Sequence, residues 1–258
     1  MTFAPALLDA LRNARHVVVF TGAGVSAESG IPTFRDRLTG LWARFEPSRL
    51  ATADAFRADP SLVWGWYQWR RSIVHRARPN PAHLAIAALA AKVPQLTLVT
   101  QNVDDLHERA GSASVIHLHG QLERPRCFTC QREPDEPLPV PDEPEAGRHV
   151  TPPACAHCGG PLRPGVVWFG ESLPLNALTH AFEAAEDCDL LISVGTSGVV
   201  YPAAEIPQVA WRAGATLLHI NPTPGPLHGE RDFALASAAG VALPELVETA
   251  FAARASSS

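Results

Sequence analysis

The feature that most constrains the fold is an alternation of short, continuous apolar runs with segments of helical periodicity. His16-Val17-Val18-Val19-Phe20 is the first run. Leu96-Thr97-Leu98-Val99-Thr100, Val115-Ile116-His117-Leu118, Leu190-Leu191-Ile192-Ser193-Val194 and Thr216-Leu217-Leu218-His219-Ile220 follow. Runs of this length without polar alternation suit strands buried on both faces of a parallel sheet. Helical patterns over Pro81 to Lys92, about Leu175 to Glu186, Pro202 to Ala213 and Leu243 to Ala252 supply the covering layers, and Leu7, Leu8 and Leu11 suggest a first helix. The expectation is an α/β fold, a doubly wound parallel sheet with ligands at the carboxyl ends of its strands.

The first run empties into Gly22-Ala23-Gly24-Val25-Ser26-Ala27-Glu28-Ser29-Gly30-Ile31-Pro32-Thr33-Phe34-Arg35. A glycine-rich turn after a strand lets backbone N–H groups approach a pyrophosphate, because no side chain stands in the way. A nucleotide site is expected there, although the same turn alone reads equally well as structural. The spacing is not G-x-G-x-x-G, since Ala27 holds the third glycine's place, and no Gly-Lys-Ser or Gly-Lys-Thr follows. The second absence argues against phosphoryl transfer from ATP.

Four of the five cysteines form two Cys-x-x-Cys pairs, Cys127 with Cys130 and Cys155 with Cys158, separated by 24 residues. Paired turns of this kind present four thiolates to a tetrahedral ion, which favours structural Zn²⁺ over disulfides or reactive dithiols. Between Pro125 and Pro164 lie ten of the 24 prolines, and six acidic residues run from Glu133 to Glu145. So little apolar surface cannot make a core, and a metal replaces one. The segment therefore reads as a small zinc module inserted into the sheet domain, and the remaining Cys188 as an inert buried thiol.

A chain of 258 residues can bury a full core, and its formal net charge of -5 gives no bulk reason to bind nucleic acid or an anionic membrane. No leader pattern or membrane-spanning window is evident, so the expected location is cytoplasmic, with no membrane and no direct nucleic-acid partner.

Further polar turns follow the apolar runs. Thr100-Gln101-Asn102-Val103-Asp104-Asp105-Leu106-His107 carries amide and carboxylate groups, and His119-Gly120 puts an imidazole at a chain reversal. Gly195-Thr196-Ser197 suits phosphate or ribose oxygens, and Asn221-Pro222 ends the last run. Singly, these read as helix caps, a core histidine and ordinary turns. Their convergence at strand ends is what points to a site.

At this point the chain resembles the sirtuins, NAD-dependent protein-lysine deacylases. The resemblance is carried by Gly22-Ala23-Gly24-Val25-Ser26 with Gly30-Ile31-Pro32-Thr33-Phe34-Arg35, Thr100-Gln101-Asn102-Val103-Asp104, His119-Gly120, the cysteine pairs, Val167-Trp168-Phe169-Gly170-Glu171, Gly195-Thr196-Ser197 and Ile220-Asn221. These stand in family order from about residue 10 to about residue 248. The resemblance implies a single catalytic unit. Its Rossmann-like large domain would span 10–122 and 165–250 with a helical insertion near 36–80, and its zinc module 123–164.

It also implies that NAD is a co-substrate whose nicotinamide leaves as the acyl oxygen of a modified lysine attacks the ribose carbon. His119 would be the general base for a ribose hydroxyl, with Asn102 as its catalytic companion. Gly22, Ala23, Gly24, Glu28, Phe34, Arg35, Gln101, Asn102, Val103, Asp104, Gly195, Thr196, Ser197, Asn221 and Ala239 would hold the cofactor. Val167, Gly170, Glu171 and Tyr201 would grip the substrate backbone as an added strand. Zinc would be structural, the partners acyl-lysine proteins, and the chain a monomer.

Within Trp64-Gly65-Trp66-Tyr67-Gln68-Trp69-Arg70-Arg71, Tyr67 and Arg70 stand three apart and share one helical face. A guanidinium forks onto a carboxylate and a phenol adds a hydrogen bond, although an aromatic helix with solvated arginines fits the same letters. Tyr67-x-x-Arg70 is similar to the pair marking succinyl- and malonyl-preferring sirtuins, and Ala51 to the small residue that widens their pocket. Asp36-Arg37-Leu38-Thr39 departs from the glycine-rich continuation frequent in the family. A mono-ADP-ribosyltransferase or a non-catalytic NAD sensor are the alternatives, whereas the glycine spacing disfavours a dehydrogenase.

Overall fold

The structure, a computed structural model, describes residues 1–33, 45–145 and 147–252. The strands are β1 (His16–Thr21), β2 (Gln95–Thr100), β3 (Val115–His117), β4 (Arg126–Cys127), β5 (Leu162–Arg163), β6 (Leu190–Val194), β7 (Thr216–Ile220) and β8 (Asp232–Leu235). Six form one sheet in the order β3-β2-β1-β6-β7-β8, and every pairing in it is parallel. The order reverses between β1 and β6, so the crevice for a ligand lies beyond Thr21 and Val194.

The helices are α1 (Pro5–Asn13), α2 (Gly24–Ala27), α3 (Pro47–Leu50), α4 (Ala53–Ala58), α5 (Pro60–Arg76), α6 (Pro81–Leu89), α7 (Leu106–Arg109), α8 (Leu175–Asp187), α9 (Ile206–Ala213) and α10 (Ala239–Phe251). Every residue of β1 is buried, and alternate side chains leave for opposite faces. Val17 and Val19 join Leu98, Leu190 and Ile192 against apolar residues of α1, α6 and α10. Val18 and Phe20 join Val99 and Leu191 against those of α8 and α9. The doubly wound α/β expectation is therefore met.

A third apolar cluster lies outside the sheet. It joins Phe56 of α4 and Val63, Trp64, Trp66 and Tyr67 of α5 to Cys127, Leu162 and Trp168. The short antiparallel pair β4–β5, with Cys127 opposite Leu162, is thus fused to the helical insertion by a shared core.

Local chemistry sets the helix ends. Asp59 accepts the Leu62 N–H at the start of α5, and Asn80 accepts that of Ala82 at the start of α6, where His83 completes a capping box. The helix expected from Leu243 starts earlier, at Ala239, and keeps Pro244 inside; its first turn is held from outside, by the Glu28 carboxylate accepting the Gly240 N–H at 2.9 Å. The helix expected from Pro202 opens as a 3₁₀ turn over Ala203–Glu205 before α9 begins. The edge strand β8 has no counterpart among the expected strands, because Phe233 is the single large apolar residue in its interior. Among the described residues, no helix is long and apolar enough to cross a membrane.

Candidate active site

A cleft of about 420 Å³ opens at the carboxyl ends of the central strands. Gly22, Ala23 and Gly24 reach it from the turn after β1, Gln101, Asn102, Val103 and Asp104 from the turn after β2, and His119 from beyond β3. Gly195, Thr196 and Ser197 follow β6, and Asn221 follows β7. Ala51, Tyr67 and Arg70 come from the helical insertion, and Val167, Gly170, Glu171 and Tyr201 complete the wall. The structure does not bring Glu28 and Ala239 to this wall; Glu28 instead ties α2 to α10 through Gly240. Phe34 and Arg35, and the departure at 36–39, lie outside the described residues.

The glycines after β1 serve a different purpose from the one their position suggests. The Gly22 N–H donates to the Val194 carbonyl at 3.0 Å and the Gly24 N–H to that of Gly195 at 2.9 Å, so neither is offered to a phosphate. Glycine is required because two turns pack backbone to backbone. A Cβ on Gly24 would stand 2.7 Å from the Gly195 Cα, and one on Gly195, where φ is +61°, would stand 2.4 Å from the Val25 nitrogen. This contact joins the ends of β1 and β6 at the switch point.

Beneath the cleft lies a buried polar network. The Ser26 hydroxyl donates to the Asp104 carboxylate and accepts from the Asn102 amide, both at 3.0 Å. The Asp104 carboxylate also accepts the Leu106 N–H from just outside α7, whose N-cap is Asp105, and lines the site as well. Burial pushes its pKa up, against the pull of these donors. His83 and His107 pack with tilted rings, 4.8 Å between centroids, and burial lowers their pKa values to about 4 and about 3. Both rings are neutral, and His107 Nε2 bonds Thr21 Oγ1 at 3.0 Å.

His119 Nδ1 lies 2.9 Å from the Gln101 carbonyl. A carbonyl only accepts, so Nδ1 carries the proton and Nε2 keeps its lone pair. Burial lowers the His119 pKa, partly offset by that hydrogen bond, which favours the unprotonated ring a base needs. The Val167 N–H donates to the His119 carbonyl and the Phe169 N–H to that of Ala51, fixing the segment 167–169 across the cleft.

Tyr67 and Arg70 are both buried in the cleft wall. Burial drives the Tyr67 pKa further above its ordinary value and lowers that of Arg70. At pH 7 the wall therefore carries a neutral phenol and a guanidinium, the side-chain cation that proteins do not deprotonate. Glu171 reaches the wall, but its oxygens are occupied by the Arg163 guanidinium and the Trp168 N–H, each at 2.9 Å, so it braces the site.

Ser26, Trp168 and Phe169 are lining residues that residue-by-residue reading passed over. Their letters stand inside the quoted motifs. Nothing in a serine of a turn or an aromatic of an apolar run marks which side chain faces a ligand.

The four paired cysteines converge away from the cleft. Cys127 and Cys158 sulfurs are 3.4 Å apart, Cys130 and Cys155 sulfurs 3.8 Å, and all four lie within 4.8 Å of one another without a disulfide. Four sulfurs at about 2.3 Å from a tetrahedral zinc ion sit roughly 3.8 Å from one another. The donor set fits one structural zinc, with no position left for substrate.

The Sir2 family profile matches residues 22–202. A protein named NAD-dependent protein deacylase from Methylococcus capsulatus is 59% identical over 248 residues, covering 96% of this chain and 97% of that one. NAD-dependent protein deacylase 1 of Pseudomonas aeruginosa is 59% identical over 246 residues, covering 95% and 98%. Among solved structures, the crystal structure of a Sir2 homologue in complex with NAD superposes with a TM-score of 0.85 at 45% identity, covering 96% of this chain and 94% of its own. With the ordered motifs, the switch-point cleft and the four-cysteine cluster in place, the chain belongs to the Sir2 family, the sirtuins.

Proposed function

We propose that this chain removes acyl groups from lysine side chains of proteins with NAD as co-substrate, and that it prefers the acid-bearing succinyl and malonyl groups. The deacylase reading rests on family membership and on relatives of 59% identity named as NAD-dependent protein deacylases. The acyl preference rests on one observation: a buried guanidinium and a buried phenol share the cleft wall with His119. A guanidinium has no acceptor, and burying it beside a ligand favours a ligand end that accepts, best of all a carboxylate.

The cleft's chemistry suits NAD. Asn102 supplies an amide and Asp104 a carboxylate held by Ser26, and these can order ribose and nicotinamide groups. When bound, NAD supplies a ribose carbon open to attack once nicotinamide departs. The chain's own part is to orient the acyl-lysine, to exclude water with the buried Trp168, and to take a hydroxyl proton at His119 Nε2. Ala51 lines the cleft with a single methyl where a larger side chain would take up pocket space, and a wide pocket still admits acetyl.

The test is mass spectrometry of matched succinyl-lysine and acetyl-lysine peptides, with and without NAD, for the native chain, Arg70→Met and His119→Tyr. Succinyl loss that requires NAD and His119 and collapses in Arg70→Met supports the reading. Acetyl-only turnover removes the acid preference, and transfer of ADP-ribose to protein without acyl loss overturns the deacylase reading.

A further inference from the structure

Trp168 enters the cleft wall on the segment between β5 and α8, where it is 1% exposed. Its Nε1–H donates to the Tyr67 hydroxyl at 3.0 Å. An indole only donates, a guanidinium only donates, and a phenol oxygen does both. Trp168 thus fills an acceptor position on the Tyr67 oxygen, and neither Trp168 nor Arg70 can accept the phenol's own proton. Among the described residues the Tyr67 hydroxyl donates to no protein atom, so that proton is left for whatever occupies the cleft.

We infer that Trp168 is a specificity-determining positioning residue, whose Nε1–H turns the Tyr67 hydroxyl into a donor for the acid end of the acyl chain, with Arg163 and Glu171 holding the indole in place. The inference rests on the acid-acyl reading above and assigns that preference a residue outside the Tyr67 and Arg70 pair.

The holding contacts are specific. The Arg163 guanidinium carbon sits 3.5 Å from the centroid of the Trp168 ring, and Arg163 is 2% exposed. Its Nη2 donates to Glu171 Oε2 and to the Val166 carbonyl, each at 2.9 Å. The same Glu171 oxygen accepts the Trp168 backbone N–H. One carboxylate therefore fixes both the cation on the indole and the backbone that carries it. Phe56 closes in at 5.4 Å between ring centroids. Arg163 belongs to β5, directly after the Leu162 that pairs with Cys127, so the aim of the phenol starts at the zinc hairpin. A tryptophan that merely filled space would need neither its N–H bonded nor its face capped by a buried guanidinium that a carboxylate holds in place.

The experiment compares kinetics on succinyl-lysine and acetyl-lysine peptides for the native chain, Trp168→Phe, Tyr67→Phe, the double variant and Arg70→Met. Phenylalanine keeps an aromatic ring for Arg163 and deletes the N–H. The succinyl-to-acetyl ratio of kcat/KM is expected to fall about tenfold in Trp168→Phe, the scale of one hydrogen bond to a charged group, chiefly through a higher succinyl KM. Tyr67→Phe should give the same fall, and the double variant no more than Tyr67→Phe alone. An unchanged ratio in Trp168→Phe, or additive losses in the double variant, overturns the inference while Arg70→Met still lowers the ratio. If Arg70→Met leaves the ratio unchanged, the acid-acyl reading falls and the inference with it. Should Trp168→Phe fail to fold, Arg163→Lys reads the same ratio, because lysine keeps the charge but loses the planar stack and fork.

Discussion

Gly24 and Gly195 meet through an N–H···O bond of 2.9 Å, at a distance that leaves no space for a methyl group on either residue. The contact locks the turn after β1 to the turn after β6 and so gives the cleft its floor.

Gly195→Ala is therefore expected to destabilise the chain and weaken nucleotide binding together. An alanine at φ +61° costs about 1–2 kcal/mol. The clash with the Val25 nitrogen adds overpacking of roughly 1–3 kcal/mol. Thermal melting with calorimetric NAD titration checks this; an unaltered Tm with full affinity would mean that the two turns separate freely.

The sequence made the sheet legible because five of its six strands are continuous apolar runs. It hid β8, where Phe233 and Leu235 alternate with Asp232 and Ala234 over only four residues at the sheet edge. The cleft was legible as a set of strand-end turns, since backbone chemistry writes itself into Gly, Asn and Asp. It was not legible where the role depends on what folds back onto a residue. Ser26 braces Asn102 and Asp104 from 76 and 78 residues away, and Trp168 reaches Tyr67 across 101. Local spacing carries no trace of such contacts. The same limit explains the different role of the glycines, because only the fold reveals that the turn after β1 faces another backbone.

The pH profile should carry the mark of His119. Its pKa is lowered by burial, and the base form is the deprotonated ring, so kcat/KM should rise with pH through a midpoint below about 6.5 and then level. His119→Tyr is expected to lose about 10²-fold or more and to abolish that limb. A limb centred above 6.5 would assign it to another group.

Stability should fall as the solution is acidified, beginning near neutrality. The folded-state pKa values of His83 and His107, about 4 and about 3, lie below the unfolded value near 6.5. The unfolded chain therefore binds more protons as pH drops from 6.5. The stability the two neutral rings contribute is full above 6.5 and is lost as pH falls toward 4 and 3, each histidine costing about 1.4 kcal/mol for every pH unit crossed in that window. Asp104, with its raised pKa, acts in the opposite sense above its unfolded value near 4. Urea midpoints from pH 8 to 5 provide the check, and a flat profile would contradict neutral burial of the two rings.

One zinc per chain is the expected metal content, by elemental analysis of the purified protein. Cys127 lies in the same apolar cluster as Trp168 and Tyr67, so stripping the ion should cost more than the hairpin. A strong chelator, or Cys130→Ser with Cys155→Ser, should lower Tm and reduce succinyl turnover, with recovery on adding zinc to the chelated protein only. Metal-free protein with native turnover would show that β4 and β5 hold their geometry without the ion.

The acidic, proline-rich spacer has a mechanical role that Gly65 exposes. A Cβ on Gly65, in α5, would stand 2.1 Å from the Arg148 carbonyl oxygen. The spacer is tied there by the Val150 N–H to the Ser61 carbonyl at 3.1 Å, and the Arg148 side chain is paired to the buried Glu143. Arg71, on the same helix, donates to the Leu138 carbonyl of the spacer at 3.5 Å and is itself paired with Glu123, which precedes the spacer. By helix propensity alone, Gly65→Ala would stabilise α5 by about 1 kcal/mol. The contact opposes this, because a backbone oxygen at that distance cannot swing aside like a side-chain tip; the strap must lift, at roughly 1–3 kcal/mol of overpacking. The clash is expected to win, giving a lower Tm and faster proteolysis within 131–154. A higher Tm in Gly65→Ala would mean that the spacer rides on α5 without being held by it.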